Sequence, residues 1–153
     1  MTLSADLVGT TRPGATLLVT RSRLRMFAKA TGQDDPVYTD LAAARQAGHR
    51  DLPVPPTFFF GVDLEMPDAF AWLAEARVDL RAVLHGEQEF TYHQSAYAGD
   101  ELSTSSVIVD YYEKKGGALK FLVSETPVTN TDGVTVVTLR NSLVIRQLAK
   151  VTG

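Results

Sequence analysis

TFFFGVDLEM, Thr57 to Met66, is the stretch that most narrows what this chain can fold into. Apolar residues fall on nearly every side of it, the pattern of a helix that is buried and not laid on a surface. Something must therefore wrap it. The stretch before it, HRDLPVPPT, is a proline-rich loop. Its prolines stop the chain from being helical there and pre-set φ for a first helical turn.

The second half of the chain supplies the wrapping. From Val83 on, four strand candidates follow. In LHGEQEFTYHQ, Gln88, Phe90 and Tyr92 point one way, and Glu87, Glu89, Thr91 and His93 the other. AGD, Ala98 to Asp100, interrupts the pattern. LSTSSVIVDYYE, ALKFLVSETPV and VTVVTLRNSLVIRQL come next, separated by KKGG and NTDG, both hairpin-type turns. Four successive strands read as an antiparallel meander. Upstream, ATLLVTR (Ala15 to Arg21) reads as a short strand. Leu24, Phe27, Ala28 and Thr31 then recur at helical spacing, with Gly32 as the stop. Thr39 or Asp40 caps a second short helix, LAAARQA, ended by Gly48. DAFAWLAEA, from Asp68, is a further amphipathic turn or two. The expectation is an α+β chain: one hotdog domain over residues 1–153, its antiparallel sheet wrapped around a central buried helix.

Composition removes several functions. The net charge of −3 argues against bulk nucleic-acid binding. Cysteine is absent, which excludes disulfides, thiolate catalysis and Cys-ligated metals. No apolar run approaches the roughly 20 residues of a membrane span. MTLSADLVGT lacks a charged-then-apolar leader pattern, so a cytoplasmic protein is expected. His85 and His93, eight residues apart on one strand, face the same way on this reading. No further ligands cluster with them, so neither a metal nor a cofactor is expected.

The chemistry turns on TGQDDPVY, Thr31 to Tyr38. With its flanks, LRMFAKATGQDDPVYTDLAAARQAG resembles the MaoC-like (R)-specific hydratase/dehydratase superfamily. VPPTFFF (Val54 to Phe60), LHGEQEFTYH (Leu84 to His93) and YAGDEL (Tyr97 to Leu102) extend the likeness. Order and spacing place it nearest the N-terminal, fatty-acid-synthase-like dehydratase type, the branch of the A subunits of (3R)-hydroxyacyl-carrier-protein dehydratases. The family motif runs roughly Gly-Asp-x-Asn-Pro-Leu-His; here Gly32-Gln33-Asp34-Asp35-Pro36-Val37-Tyr38 stands in its place.

The resemblance implies an acid/base pair, because hydrating a 2-enoyl thioester needs a base to activate water and an acid to protonate C2. A carboxylate and an imidazole do both near neutral pH. Laid on this chain, the family's Asp falls on Gln33 and its His on Tyr38. Gln does not titrate, and a phenol with a reference pKa of about 10 is a poor substitute for imidazole. The family also holds the thioester oxygen with an N–H at the start of the central helix. Pro55 and Pro56 stand there without one, leaving Thr57 and Phe58 to offer theirs.

The resulting expectation is a subunit of an acyl-thioester hydratase or dehydratase that binds the acyl chain without turning it over. Pro56, Thr57, Phe58, Phe59, Phe60, His85 and Gly86 are the expected acyl-binding residues, with Met66 and Phe70 as further channel lining. The implied ligand is an acyl-CoA or acyl-carrier-protein thioester, and the implied partner is a catalytic MaoC-like chain. Two alternatives stand beside it: a homodimeric acyl-thioester-binding hotdog without dehydratase activity, and a self-sufficient hydratase using Asp34 or Asp35 with His85. The bland readings are turn chemistry for Gln33, Asp34 and Asp35, a bulge or close approach at Gly86, and plain core for Phe58 to Phe60. His49, Arg50, Arg21, Arg25 and Lys29 fit either a nucleotide phosphate or a solvated face.

Overall fold

A computed structural model describes residues 3–148. After a 3-10 turn at Ala5–Leu7, the first strand is β1 (Thr11–Leu18). The strand starts four residues before the expected Ala15 and ends before Arg21. Thr20 is the reason for the earlier end: its side chain accepts from the Arg23 N–H and caps α1 (Arg21–Thr31), so Arg21 opens the helix. Gly32 closes α1 at φ 70°, the left-handed region where glycine carries no Cβ penalty. The second helix, α2 (Leu41–Gln46), is capped by Asp40, whose carboxylate accepts from the Ala42 and Ala43 N–H groups.

The central helix runs Pro56–Glu65 and is wound as a 3-10 helix. Phe58, Phe59 and Val62 are buried. Phe60 and Leu64 are not: 43% and 51% of each remains exposed. The expected all-round burial therefore holds on one side only. The strand β1 packs on that side, while Phe60 is left partly open beside His85. A short helix, α3 (Ala71–Glu75), follows.

The remaining strands are β2 (Val83–Tyr92), β3 (Glu101–Lys114), β4 (Leu119–Thr129) and β5 (Thr135–Arg146). Together with β1 they form one antiparallel sheet in the order β1-β3-β4-β5-β2. The expected four-strand meander is thus corrected. β3, β4 and β5 are joined by the two tight turns, but β2 lies beside β5 and not beside β3. No hairpin turn joins β2 to β3. The connecting segment crosses instead, with Tyr97 bridging Pro53 and the Ala98 N–H donating to the Leu52 carbonyl.

The core has two apolar clusters. The larger joins Leu24, Leu52, Phe58, Phe59, Val62, Leu102, Val128 and Val137; the smaller joins Leu7, Ala76, Ile108, Leu122 and Ile145. Phe27 meets Phe58 edge to face, ring centroids 5.4 Å apart, which ties α1 to the central helix. Each fully buried Leu or Phe stabilises the fold by about 1.5–3 kcal/mol. No helix among the described residues is long and apolar enough to cross a membrane.

Candidate functional site

The segment between α1 and α2 satisfies itself. The Gln33 N–H donates to the Ala28 carbonyl at 2.9 Å, continuing the helix cap. The Gln33 side-chain Oε1 accepts from the Asp35 N–H at 3.1 Å, and Asp35 Oδ1 from the Val37 N–H at 3.0 Å. Asp35 thereby caps the single 3-10 turn Pro36–Tyr38. Asp34 and Asp35 are exposed, whereas Gln33 and Tyr38 are half-buried. Gln33 and Tyr38 are therefore turned partly toward the protein, as are Val37 and Thr39.

Tyr38 lies near Tyr92, which closes β2. Burial, and secondarily the Tyr38 phenol, push the Tyr92 hydroxyl above its ordinary value. The Tyr92 hydroxyl donates to the Pro56 carbonyl at 2.9 Å, and its ring lies 6.4 Å from that of Phe59. Tyr38, Tyr92 and the first turn of the central helix thus lie close together. The Phe58 N–H there is already donated to the Pro55 carbonyl, and Pro55 and Pro56 have none to give. Tyr92 is the member sequence reasoning missed as a site residue; its apolar-face alternation with Phe90 was the available signal. Met66 is half-buried, and Phe70 is 49% exposed beyond the end of the helix.

His85 stands elsewhere, near the exposed edge of the sheet. Its Nε2 is 2.7 Å from Asn141 Nδ2, and its ring meets Phe60 edge-on, centroids 5.5 Å apart. Its hydrogen bond goes to Asn141 and not to Asp34 or Asp35. The expectation that His85 and His93 face the same way is corrected. The register between β2 and β5 shifts between His85 and Glu87, and β2 ends at Tyr92. His93 consequently bonds Thr138 Oγ1 at 2.9 Å, while His85 bonds Asn141, three positions along β5 and on its other face. Gly86 is the bulge that causes this. A Cβ there would lie 2.7 Å from Val144 Cγ2 and 2.9 Å from the Ser142 carbonyl oxygen, so close approach to β5 accounts for the glycine.

Three of the basic residues have partners within the chain. Arg21 makes a two-point pair with Asp51, closest at 2.7 Å, Arg25 donates to the Thr39 carbonyl at 2.8 Å, and Arg50 pairs with Asp100. His49 Nδ1 is 3.2 Å from the Tyr97 hydroxyl.

A second polar region lies inside, beneath the central helix. Asp63 is the one charged side chain within the run Thr57 to Leu64. Its carboxylate accepts from Thr104 Oγ1 and, at 3.4 Å, from Ser106 Oγ. Ser106 Oγ in turn is 2.6 Å from Thr126 Oγ1. All three hydroxyl residues are buried. Arg12 lies beside this row with its guanidinium 4.2 Å above the Trp72 ring. Burial lowers its pKa, and the Asp63 charge partly restores it. The row separates the two apolar clusters. A carboxylate in an apolar helix, and hydroxyls at alternate positions of facing strands, were the sequence signals for it.

Comparison with known proteins places this geometry. The family described as FAS1-like, dehydratase domain region matches residues 6–139. A UPF0336 protein of Clavibacter michiganensis subsp. michiganensis is 37% identical over 149 residues, covering 95% of this chain and 97% of the relative. One of Thermobifida fusca is 35% identical over 128 residues, covering 84% and 83%. Among solved structures, the C-terminally truncated HadBC (3R-hydroxyacyl-ACP dehydratase) complex from Mycobacterium tuberculosis superposes with a TM-score of 0.78. It is 26% identical, covering 93% of this chain and 99% of that one. The unliganded R-hydratase PhaJ1 from Pseudomonas aeruginosa shares the fold at a TM-score of 0.68 and 16% identity, covering 95% and 90%.

Proposed function

Because the chain belongs to the FAS1-like dehydratase domain family, we propose that it is the non-catalytic, acyl-binding subunit of an acyl-thioester hydratase or dehydratase. The observation that carries this reading is the pair Gln33 and Tyr38, half-buried where the resembling family has Asp and His. Removing the C2 proton of a 3-hydroxyacyl thioester needs a base, and expelling the 3-hydroxyl as water needs an acid. An amide supplies neither. A phenol, with a reference pKa of about 10, is a poor substitute for either near neutral pH. At the start of the central helix two prolines and the already donated Phe58 N–H leave chiefly the Thr57 N–H to meet developing negative charge.

What the chain retains is a wall. Phe58 and Phe59 are buried, Phe60 is open toward His85, and Tyr92 closes the end near Pro56. Such a surface suits an acyl chain held against a second hotdog that carries the acid/base pair. The ligand is an acyl-CoA or acyl-carrier-protein thioester, and the partner is a catalytic MaoC-like chain. Two neighbours in fold, HadBC and ChsH1-ChsH2 of Mycobacterium tuberculosis, are themselves complexes.

The test is an enoyl-thioester hydration assay on the chain alone and after co-expression with a MaoC-like chain bearing an intact Gly-Asp-x-Asn-Pro-Leu-His run. Activity is expected only in the complex, and Gln33→Ala in this chain should leave it within about twofold, since Gln33 would take no part in proton transfer. Turnover by the isolated chain at a rate matching the complex overturns the reading.

A further inference from the structure

The smaller apolar cluster borders a cleft that the chemistry so far described does not use. Leu3, Ala76, Ala82 and Ile145, all buried members of that cluster, line a cleft of about 470 Å³. That volume falls within the roughly 300–1,000 Å³ of small-molecule sites. The cleft shares no residue with the wall of Phe58 to Phe60 and Tyr92.

Its polar lining is cationic. Arg77 follows α3, Lys120 lies on β4 and Arg146 ends β5, and all three line the cleft. The acid among the lining residues is Asp79, which Arg81 already binds through Nε and Nη2, closest at 2.6 Å. Three cations against one carboxylate leave an excess of positive charge. Counting Arg81 and Glu113 beside the cleft leaves that excess unchanged, since they cancel. On a chain whose net charge is −3, this is a local reversal of sign.

These cations are weakly matched within the chain. Among the described residues no carboxylate pairs with Arg77 or Arg146. Arg146 donates to the Arg81 carbonyl at 3.4 Å, and Lys120 stands 3.9 Å from Glu113, whose carboxylate also accepts from the Tyr111 hydroxyl. Arg77 is further held against its own backbone preference. The Val78 N–H donates to the Leu73 carbonyl and the Arg77 N–H to that of Ala74, both at 2.9 Å, and this turn closes α3 with Arg77 at φ 55°. Glycine is the usual residue at such a stop; any other bears the strain of a left-handed backbone.

We infer that this cleft binds an alkyl carboxylate, a free fatty acid of medium length. A guanidinium meets a carboxylate with paired N–H donors, and the apolar lining takes the alkyl tail out of water. A tail without the charge leaves the cations unmatched, and a charge without the tail leaves the apolar lining wet. Only a ligand with both uses the whole cleft.

Trp72 is the chain's one tryptophan and packs against this cluster, so its fluorescence reads the site. Decanoate, kept below its aggregation threshold, is titrated into the full chain, with decanol, butyrate and decyl phosphate as comparisons and calorimetry as a second readout. Decanoate is expected to saturate one site and to bind about tenfold or more tightly than decanol, which lacks the charge, or butyrate, which lacks the tail. Arg77→Gly should weaken decanoate binding by about fivefold or more with Tm equal or higher, because glycine adopts this φ without strain. Misfolding cannot then account for the loss. Lys120→Gln is expected to weaken binding by about threefold, and Lys29→Gln, on α1, to leave it unchanged. Decanol binding as tightly as decanoate overturns the inference, as does an Arg77→Gly variant that binds like wild type, or decanoate that never saturates. A Lys29→Gln loss equal to that of Arg77→Gly overturns it too, by reducing it to general charge attraction. Decyl phosphate binding about tenfold more tightly than decanoate overturns the carboxylate assignment in favour of a phosphate head. None of these outcomes depends on the hydration assay.

Discussion

Two polar regions flank the central helix, and they are held in opposite ways. The segment 31–40 bonds to itself: Gln33 to Asp35, Asp35 to Val37, Asp40 to Ala42 and Ala43. Its partners are two or three residues apart and mostly open to water. The row of Asp63, Thr104, Ser106 and Thr126 joins the central helix to β3 and β4 across 20 to 43 residues of sequence, and its hydroxyls are buried. An exposed local bond exchanges freely with water and contributes little, whereas a buried group stripped of its partner bears the whole desolvation cost. The stabilising polar chemistry of this chain therefore lies under the helix. The segment 31–40 contributes little to it.

The largest effect expected from this contrast is at Gly14. A Cβ there would fall 2.1 Å from Thr104 Oγ1 and 2.2 Å from the Thr104 carbonyl oxygen, so backbone must move. Thr104 is also the partner of Asp63 and accepts from the Ala15 N–H. Gly14→Val should therefore cost about 3 kcal/mol, the upper part of the overpacking range, measured by urea denaturation. A loss under about 1 kcal/mol would mean that β1 slides freely over the row.

Next comes Asp63→Ala, which leaves the Thr104 and Ser106 hydroxyls without their carboxylate and Arg12 without its nearest negative charge. A destabilisation of about 2 kcal/mol is expected, with Asp63→Asn keeping roughly half because its amide oxygen still accepts. If the alanine variant is as stable as wild type, the row is not the structural element the comparison makes it. Asp40→Ala, which removes the cap of α2, should cost about 1 kcal/mol, the typical value for an N-cap.

Acid titration probes a third polar contact, the exposed pair of Arg21 and Asp51. The hydrogen bond from Arg21 holds the Asp51 carboxyl at about 2, below its ordinary 3.8. The folded pKa is depressed, so the stabilisation is present above the unfolded value and lost as pH falls from about 4 to 2. Arg21→Gln should remove that part of the acid-induced loss, read as a flatter stability–pH curve in this window. The contribution is small, because solvent screens the pair.

Legibility followed locality. The stop of α1 at Gly32, the Asp40 cap of α2 and the turns KKGG and NTDG were written in neighbouring residues, and each formed. The place of β2 beside β5 was not, since no turn signal marks a strand that crosses over its successors. Nor was the divergence of His85 from His93, which depends on a bulge at Gly86 that alternation alone cannot count. The Asp63 row was hidden for the same reason. Its members are ordinary one at a time, and only the sheet's register brings them together.

The smallest effect expected is at the motif itself. Gln33 accepts from the Asp35 N–H two residues on, a bond that aspartate makes in its own usual turn. Gln33→Asp should therefore change stability by less than about 0.5 kcal/mol in either direction, the range for exposed positions without special features. The value matters more than its size suggests. A neutral result means that the fold places no demand on this side chain, and a carboxylate could stand there without structural penalty. A loss above about 1 kcal/mol would instead tie Gln33 to the interior and erase the difference between the two polar regions.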